Sequence, residues 1–136
     1  MQRLKTVVLS VAALAILAAP AHAAVLKLGH VLPPAHNWHV AASGFADEVK
    51  VVTAGRVEIK VFPNSQLGTE TAMIEGLQLG TVEMGLIGGA SFQNIEPKLG
   101  LEGLPYAFSD HQHAYRVFDG EAGNRLFGLL EKKGIK

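Results

Sequence analysis

Three short segments recur at the spacing of alternating strands and helices, and they leave the chain few ways to fold. They are Leu26-Lys27-Leu28-Gly29-His30-Val31-Leu32-Pro33-Pro34-Ala35-His36, Val61-Phe62-Pro63-Asn64-Ser65-Gln66-Leu67-Gly68 and Leu77-Gln78-Leu79-Gly80-Thr81-Val82-Glu83-Met84-Gly85. Each is a junction where the apolar period changes between 2 and 3.6 and proline or glycine breaks the run. In order, they predict a β-α-β-α-β chain.

The flanking residues agree. Val25 to His30 reads as a first strand, broken by Pro33-Pro34. Asn37 is expected to cap the next helix, because its side chain can accept from a free first-turn N–H. Ala41, Phe45, Val49 and Val52 form that helix's apolar stripe, with Phe45 in the core, and Gly55 suits its end. Val57, Ile59 and Val61 alternate with Glu58 and Lys60 in a second strand with one wet face. Gly68-Thr69 opens a second helix, with Glu70 where the dipole favours an anion. Met73, Ile74 and Leu77 face inward and Gly80 closes it. Val82 to Ile87 predicts a third strand, ended by Gly88-Gly89. Leu101 to Leu104, stopped by Pro105, predicts a fourth. Ser109 to Gln112 fits a capping box. Two helices follow, the first with Ala114, Val117 and Phe118 inside. The second, from Glu121 to Lys133, has Ala122, Leu126 and Leu130 along one side.

The fold class is therefore α/β with a mostly parallel sheet. In such sheets ligands sit beyond the carboxyl ends of the strands, near a switch in strand order. That rule selects two loops, His30 to Trp38 and Gly88 to Phe92. The candidate ligand-binding residues are His30, His36, Trp38, Gly88, Gly89, Ser91 and Phe92. Trp38 serves packing more readily than stacking on a ligand.

The N-terminus has a different logic. Arg3 and Lys5 precede an apolar run from Val7 to Ala19, and Pro20-Ala21-His22-Ala23 follows. This is the layout of a secretory leader with an Ala-x-Ala cleavage site, so residues 1–23 are expected to be removed. The run is short for about 30 Å of hydrocarbon, so stable membrane insertion is not expected. Cleavage takes Arg3 and Lys5 from the 12 basic residues and nothing from the 12 acidic, leaving a net charge of −2. No basic stripe remains for nucleic acid. Cysteine is absent, so an exported domain must rely on its core.

Catalytic and metal patterns are weak. His36 and His39 open one helix, but no His-Glu-x-x-His occurs and no thiolate is available for zinc. Ser65, Ser91 and Ser109 lie outside any Gly-x-Ser-x-Gly elbow. Gly88-Gly89 belongs to no phosphate-binding glycine pattern. Its small residues instead let a ligand approach the backbone. No cofactor, metal or catalytic residue is expected.

Phe62-Pro63-Asn64-Ser65-Gln66-Leu67-Gly68 resembles, almost letter for letter, a junction of the DctP-like family. These are the substrate-binding subunits of tripartite ATP-independent periplasmic (TRAP) transporters. Gly80-Thr81-Val82-Glu83-Met84, Leu104-Pro105-Tyr106-Ala107-Phe108 and the His30 to His39 loop are similar to three more of its segments. The resemblance implies a periplasmic-binding-protein fold of type II, two lobes that close on a small organic acid. It implies delivery to a pair of permease membrane subunits driven by an ion gradient. It also implies a carboxylate-binding arginine in a segment after Lys136, so residues 24–136 are expected to be an incomplete N-terminal lobe, with the second lobe largely missing. Arg116 and Arg125 fall on helices and are not assigned that role. Where the family often has a polar residue this chain has Gly88, which opens that side of the pocket. The alternatives are a receptor of an ATP-driven importer and, further off, a secreted enzyme on the same scaffold.

Overall fold

β1 (Ala24–Gly29) lies at the centre of a three-stranded parallel sheet of order β2-β1-β3. The computed structural model describes residues 23–136; the expected leader, up to residue 22, lies outside them. β2 (Val57–Phe62) pairs with the whole of β1, from Ala24 opposite Val57 to Gly29 opposite Phe62. β3 (Met84–Gly85) pairs only with Leu28 and Gly29. The expected Val82 to Ile87 strand is thus shorter. Its start is replaced by a side chain: Glu83 Oε2 accepts from the backbone N–H of Lys27 at 2.8 Å. Its far end keeps one ladder bond, Leu86 N to Gly29 O at 2.9 Å.

The crossover from β1 to β2 runs one way across the sheet and that from β2 to β3 runs back over β1. Right-handed connections then place the two helices on opposite faces. α1 (Asn37–Val52) covers the face formed by Leu26, Leu28, Val57, Ile59 and Val61. α2 (Glu70–Leu79) covers the other, where Met73 is fully buried over Gly29. A second cluster joins Ile74 of α2 to Leu99, Leu130 and Ile135, with Leu77, Ile87, Phe92 and Leu126 packed around it.

The α1 stripe differs from expectation. Ala42 and Ala46 are buried and Val49 packs against them, whereas Phe45 and Val52 are 45% and 70% exposed. The buried line is turned by one residue from Ala41, Phe45 and Val52. Two alanines bring the helix axis close to the sheet, and the larger Phe45 is left outside the contact. Hydrophobicity at helical spacing cannot distinguish these neighbouring lines.

α2 follows the sequence closely. The Thr69 hydroxyl accepts from Ala72 N at 3.2 Å, and Gly80 ends the helix at φ 71°. Beyond β3 the chain makes two 3₁₀ turns, Gly89–Asn94 and Pro97–Gly103. The second replaces the expected fourth strand. Only Leu99 of that turn is buried, and Leu101 and Leu104 are exposed, so an apolar run that looked like a strand has no sheet to join. α3 (His111–Phe118) is capped by Asp110, not Ser109: Asp110 Oδ1 accepts from His113 N at 2.7 Å. Because the cap moves one residue, the Ser109–Gln112 box does not form. α4 (Glu121–Glu131) ends two residues before Lys133, and Gly134 takes φ 83°. Among the described residues no helix is long and apolar enough to cross a membrane.

Candidate functional site

The Pro63-Asn64-Ser65 turn fixes the loop after β1. Asn64 and Ser65 both adopt left-handed backbone, at φ 54° and 58°. Two successive residues of that hand turn neighbouring N–H groups to one side; asparagine tolerates this better than most side chains. Asn64 N donates to Leu32 O at 3.0 Å and Ser65 N to His30 O at 3.1 Å. His30 N in turn donates to Phe62 O at 3.0 Å. His30 is therefore held by its backbone on both sides.

Its side chain is completely buried at the carboxyl end of the central strand. His30 Nε2 lies 3.1 Å from Nδ1 of His39 on α1, and His39 Nε2 lies 3.4 Å from Ser43 Oγ. His30 Nδ1 is buried without a hydrogen-bonded partner. Burial, then the nearby His39 and His36, pull the pKa of His30 below the ordinary 6.5.

His36, not Asn37, caps α1. Its Nδ1 accepts from Trp38 N at 3.2 Å, which an imidazole can do only while that nitrogen is unprotonated. The Trp38 ring stands edge-on to His36, with centroids 6.1 Å apart. Asn37 begins the helix proper and is exposed.

The loop after β3 is latched from α2. Glu70 Oε1 accepts from Gly88 N at 3.3 Å, and Glu70 Oε2 accepts from the Ser91 hydroxyl. Sequence reasoning had placed Glu70 in the first turn for its charge and missed this second role. The signal was present: an acid at a helix start beside a glycine-rich strand end. A Cβ on Gly88 would lie 3.8 Å from the Glu70 carboxylate, an ordinary contact. A Cβ on Gly89 would overlap Glu102 Oε2 at 1.5 Å, so Gly89 is pressed by that flexible carboxylate. Phe92 turns inward and packs with the Ile74–Leu99 cluster.

A larger hollow of about 890 Å³ runs elsewhere, along the free edge of β3. Met84, Gly85, Phe92, Leu130 and Ile135 line it, with Glu83 and Glu131 at its rim. It is a mainly apolar trough beside the free edge of β3, with Lys136 as well as the two carboxylates in its lining. Among the described residues no group of three or more His, Asp or Glu is set to hold a metal.

A parallel sheet whose central strand runs into one fixed loop, beside a second loop latched from α2, defines one α/β lobe of a ligand-binding protein. Residues 28–136 match the bacterial extracellular solute-binding proteins, family 7, and the chain belongs to this DctP family. The solute-binding protein RD1_1052 of Roseobacter denitrificans is 44% identical over 127 residues, covering 93% of this chain and 39% of that protein. A crystal structure of RD1_1052 with bound L-galactonate matches with a TM-score of 0.76 and 39% identity, over 81% of this chain and 36% of the other. A TRAP periplasmic solute-binding protein of Sulfurospirillum deleyianum with bound succinate matches with a TM-score of 0.77 and 36% identity, over 81% and 36%. The chain thus spans well under half the length of these relatives.

Proposed function

We propose that residues 24–136 supply one wall of a TRAP receptor that captures a small organic acid outside the cytoplasm. The receptor hands the acid to a pair of permease membrane subunits for ion-gradient-driven uptake. One observation carries the reading: the loops 30–38 and 88–92 leave the carboxyl ends of the adjacent strands β1 and β3. In that position His36, Trp38, Gly88, Gly89 and Ser91 are the proposed contact set; His30, completely buried, and Phe92, packed inward, support the two loops from beneath, and Glu70 holds the second. The ligands printed for two relatives, succinate and L-galactonate, share a carboxylate.

A desolvated carboxylate calls for a bidentate cation, and arginine has that geometry. Among the described residues Arg56 precedes β2, Arg116 lies on α3, and Arg125 pairs with Glu121 at 2.6 Å. None belongs to the strand-end loops, and the family resemblance implies an arginine in a segment after Lys136 for the acid's charge. We read the role as binding rather than catalysis, with the Ser91 hydroxyl donating to Glu70 to hold the second loop. Residues 1–23 are proposed to direct export and to be cleaved in its course.

The test is calorimetric titration of the intact receptor with galactonate, succinate, keto acids and aromatic acids. At least one should bind with one-to-one stoichiometry. Gly88→Leu should weaken that binding by about tenfold or more, equivalent to about 1.4 kcal/mol, with the unfolding midpoint unchanged. Silence across the panel would refute the reading.

A further inference from the structure

Three imidazoles meet where β1 runs into α1, and two of their hydrogen bonds, His30 to His39 and Trp38 N to His36, require a bare ring nitrogen. Between His30 Nε2 and His39 Nδ1, 3.1 Å apart, there is room for one hydrogen. If both rings were protonated, two N–H groups would face each other and the bond would be lost. His36 Nδ1 accepts from Trp38 N, so a proton there removes the cap of α1. His39 also exchanges a hydrogen bond with Ser43 one turn along the helix. A positive charge on His36 or His39 would stand at the N-terminus of α1, where the helix dipole is itself positive.

We infer that His30, His36 and His39 form a pH-sensitive lock, which holds the 30–38 loop in its binding geometry only while His36 Nδ1 is bare and a single hydrogen lies between the His30 and His39 rings. This rests on the proposed role of that loop as one wall of the acid site. The lock is built into the fold at both ends. The His30 backbone is tied to Phe62 and Ser65, and its ring is completely buried. His39 is fixed on α1, whose other side is packed through Ala42 and Ala46. The joints that protonation breaks are the contact between the His30 and His39 rings and the His36 cap.

The surroundings offer no counter-charge. The titratable groups that bear on His30 are His39 and His36, both of the same sign when charged. The residues tied to it from β2 and the following turn are Phe62 and Ser65, and β3 adds Leu86 through Gly29. From α2, Met73 packs over Gly29. None of these is ionisable. The Leu32 carbonyl alone favours the charged ring, and burial outweighs it. With the folded pKa below the ordinary 6.5, the stabilisation from neutral His30 is complete above about pH 6.5. It is lost as the pH falls from there through the lowered pKa.

Trp38, the only tryptophan, sits in this loop against His36 and reports it without any ligand. Its emission should be read in the intact receptor from pH 8 to 4.5, alongside calorimetry with galactonate at the same pH values. The wild type should hold constant emission above pH 7 and change cooperatively below about 6.5. Galactonate affinity should fall in the same window, approaching tenfold per pH unit for one linked proton. His39→Gln, whose amide can face His30 without titrating, should flatten most of both profiles. Superimposable profiles for His39→Gln and wild type would overturn the lock, since His36 alone would then explain the Trp38 signal. Histidine ring NMR of the wild type needs no substitution. A depressed titration of His30 is expected, and a His30 midpoint at or above about 6.5 would overturn the inference. If no acid of the calorimetric panel binds at any pH while Trp38 emission still changes in that window and His39→Gln flattens it, the acid-site reading fails and the lock stands.

Discussion

Gly29→Ala is the sharpest test of how the sheet is packed beneath the site. Gly29 ends β1, one residue before His30, and its α2-facing side is filled by other residues. An added Cβ would lie 2.6 Å from Met73 Sδ, 3.0 Å from Leu67 Cδ1 and 3.3 Å from Leu67 Cβ. Met73 is fully buried, so its thioether has no solvent to retreat into. Overpacking of this kind costs about 1–3 kcal/mol. Replacing glycine in a strand recovers about 0.5–1 kcal/mol of backbone entropy. The net expectation is destabilisation of about 1–2 kcal/mol, read as a lower urea midpoint with unchanged slope. On a Met73→Ala background, itself costly by about 2–5 kcal/mol, the same substitution should lose most of its cost. The coupling in that double-mutant cycle should be about 1 kcal/mol. A Gly29→Ala chain as stable as wild type, or additive behaviour of the two changes, would refute the packing argument.

Other expectations follow from single contacts. Thr69→Ala removes the oxygen that caps α2 and should cost about 1 kcal/mol in urea unfolding. Glu70→Ala should speed amide exchange at Gly88 by about tenfold, the equivalent of one charge-assisted hydrogen bond; unchanged protection would mean the latch is idle. The Asp110 carboxyl is held below its ordinary value by the His113 N–H, and further by the Ser109 hydroxyl. The cap is therefore present above about pH 4 and weakens as the pH falls below that. Asp110→Asn should keep α3 protected from exchange down through that range, whereas Asp110→Ala should leave α3 frayed at every pH. N-terminal sequencing of exported material should begin at Ala24, and a retained Met1 would exclude the leader.

The parts legible in the sequence were those written in local chemistry. Thr69, Glu70 and Gly80 bound α2 because a cap, a dipole partner and a left-handed residue each need a particular side chain. Pro63 marks the end of β2 for the same kind of reason. What was not legible depends on partners distant in the chain. Leu101 to Leu104 has strand composition, but strands exist only where a neighbour offers its edge. Phe45 lost its place in the core to Ala42 and Ala46, since how closely a helix approaches a sheet is set across the interface. Asn37 is the better cap by preference, yet His36 is the residue that the Pro33–Pro34 turn delivers, through His36 N to Pro33 O at 2.9 Å. The proposed site is two loops selected by a rule of topology. Glu70 Oε2 and the His30–His39 contact are pairings between separate elements, and no spacing along the chain encodes them.

The account stands on the claim that the acid is held where β1 and β3 end. The most direct measurement is a crystal structure of the intact receptor with its tightest-binding acid from the calorimetric panel. Ligand atoms are predicted within hydrogen-bonding or van der Waals reach of both the His30–Trp38 and Gly88–Phe92 loops. Their carboxylate should be paired to an arginine outside residues 23–136. A ligand lodged in the trough beside Met84 and Ile135, or one touching neither loop, would contradict it.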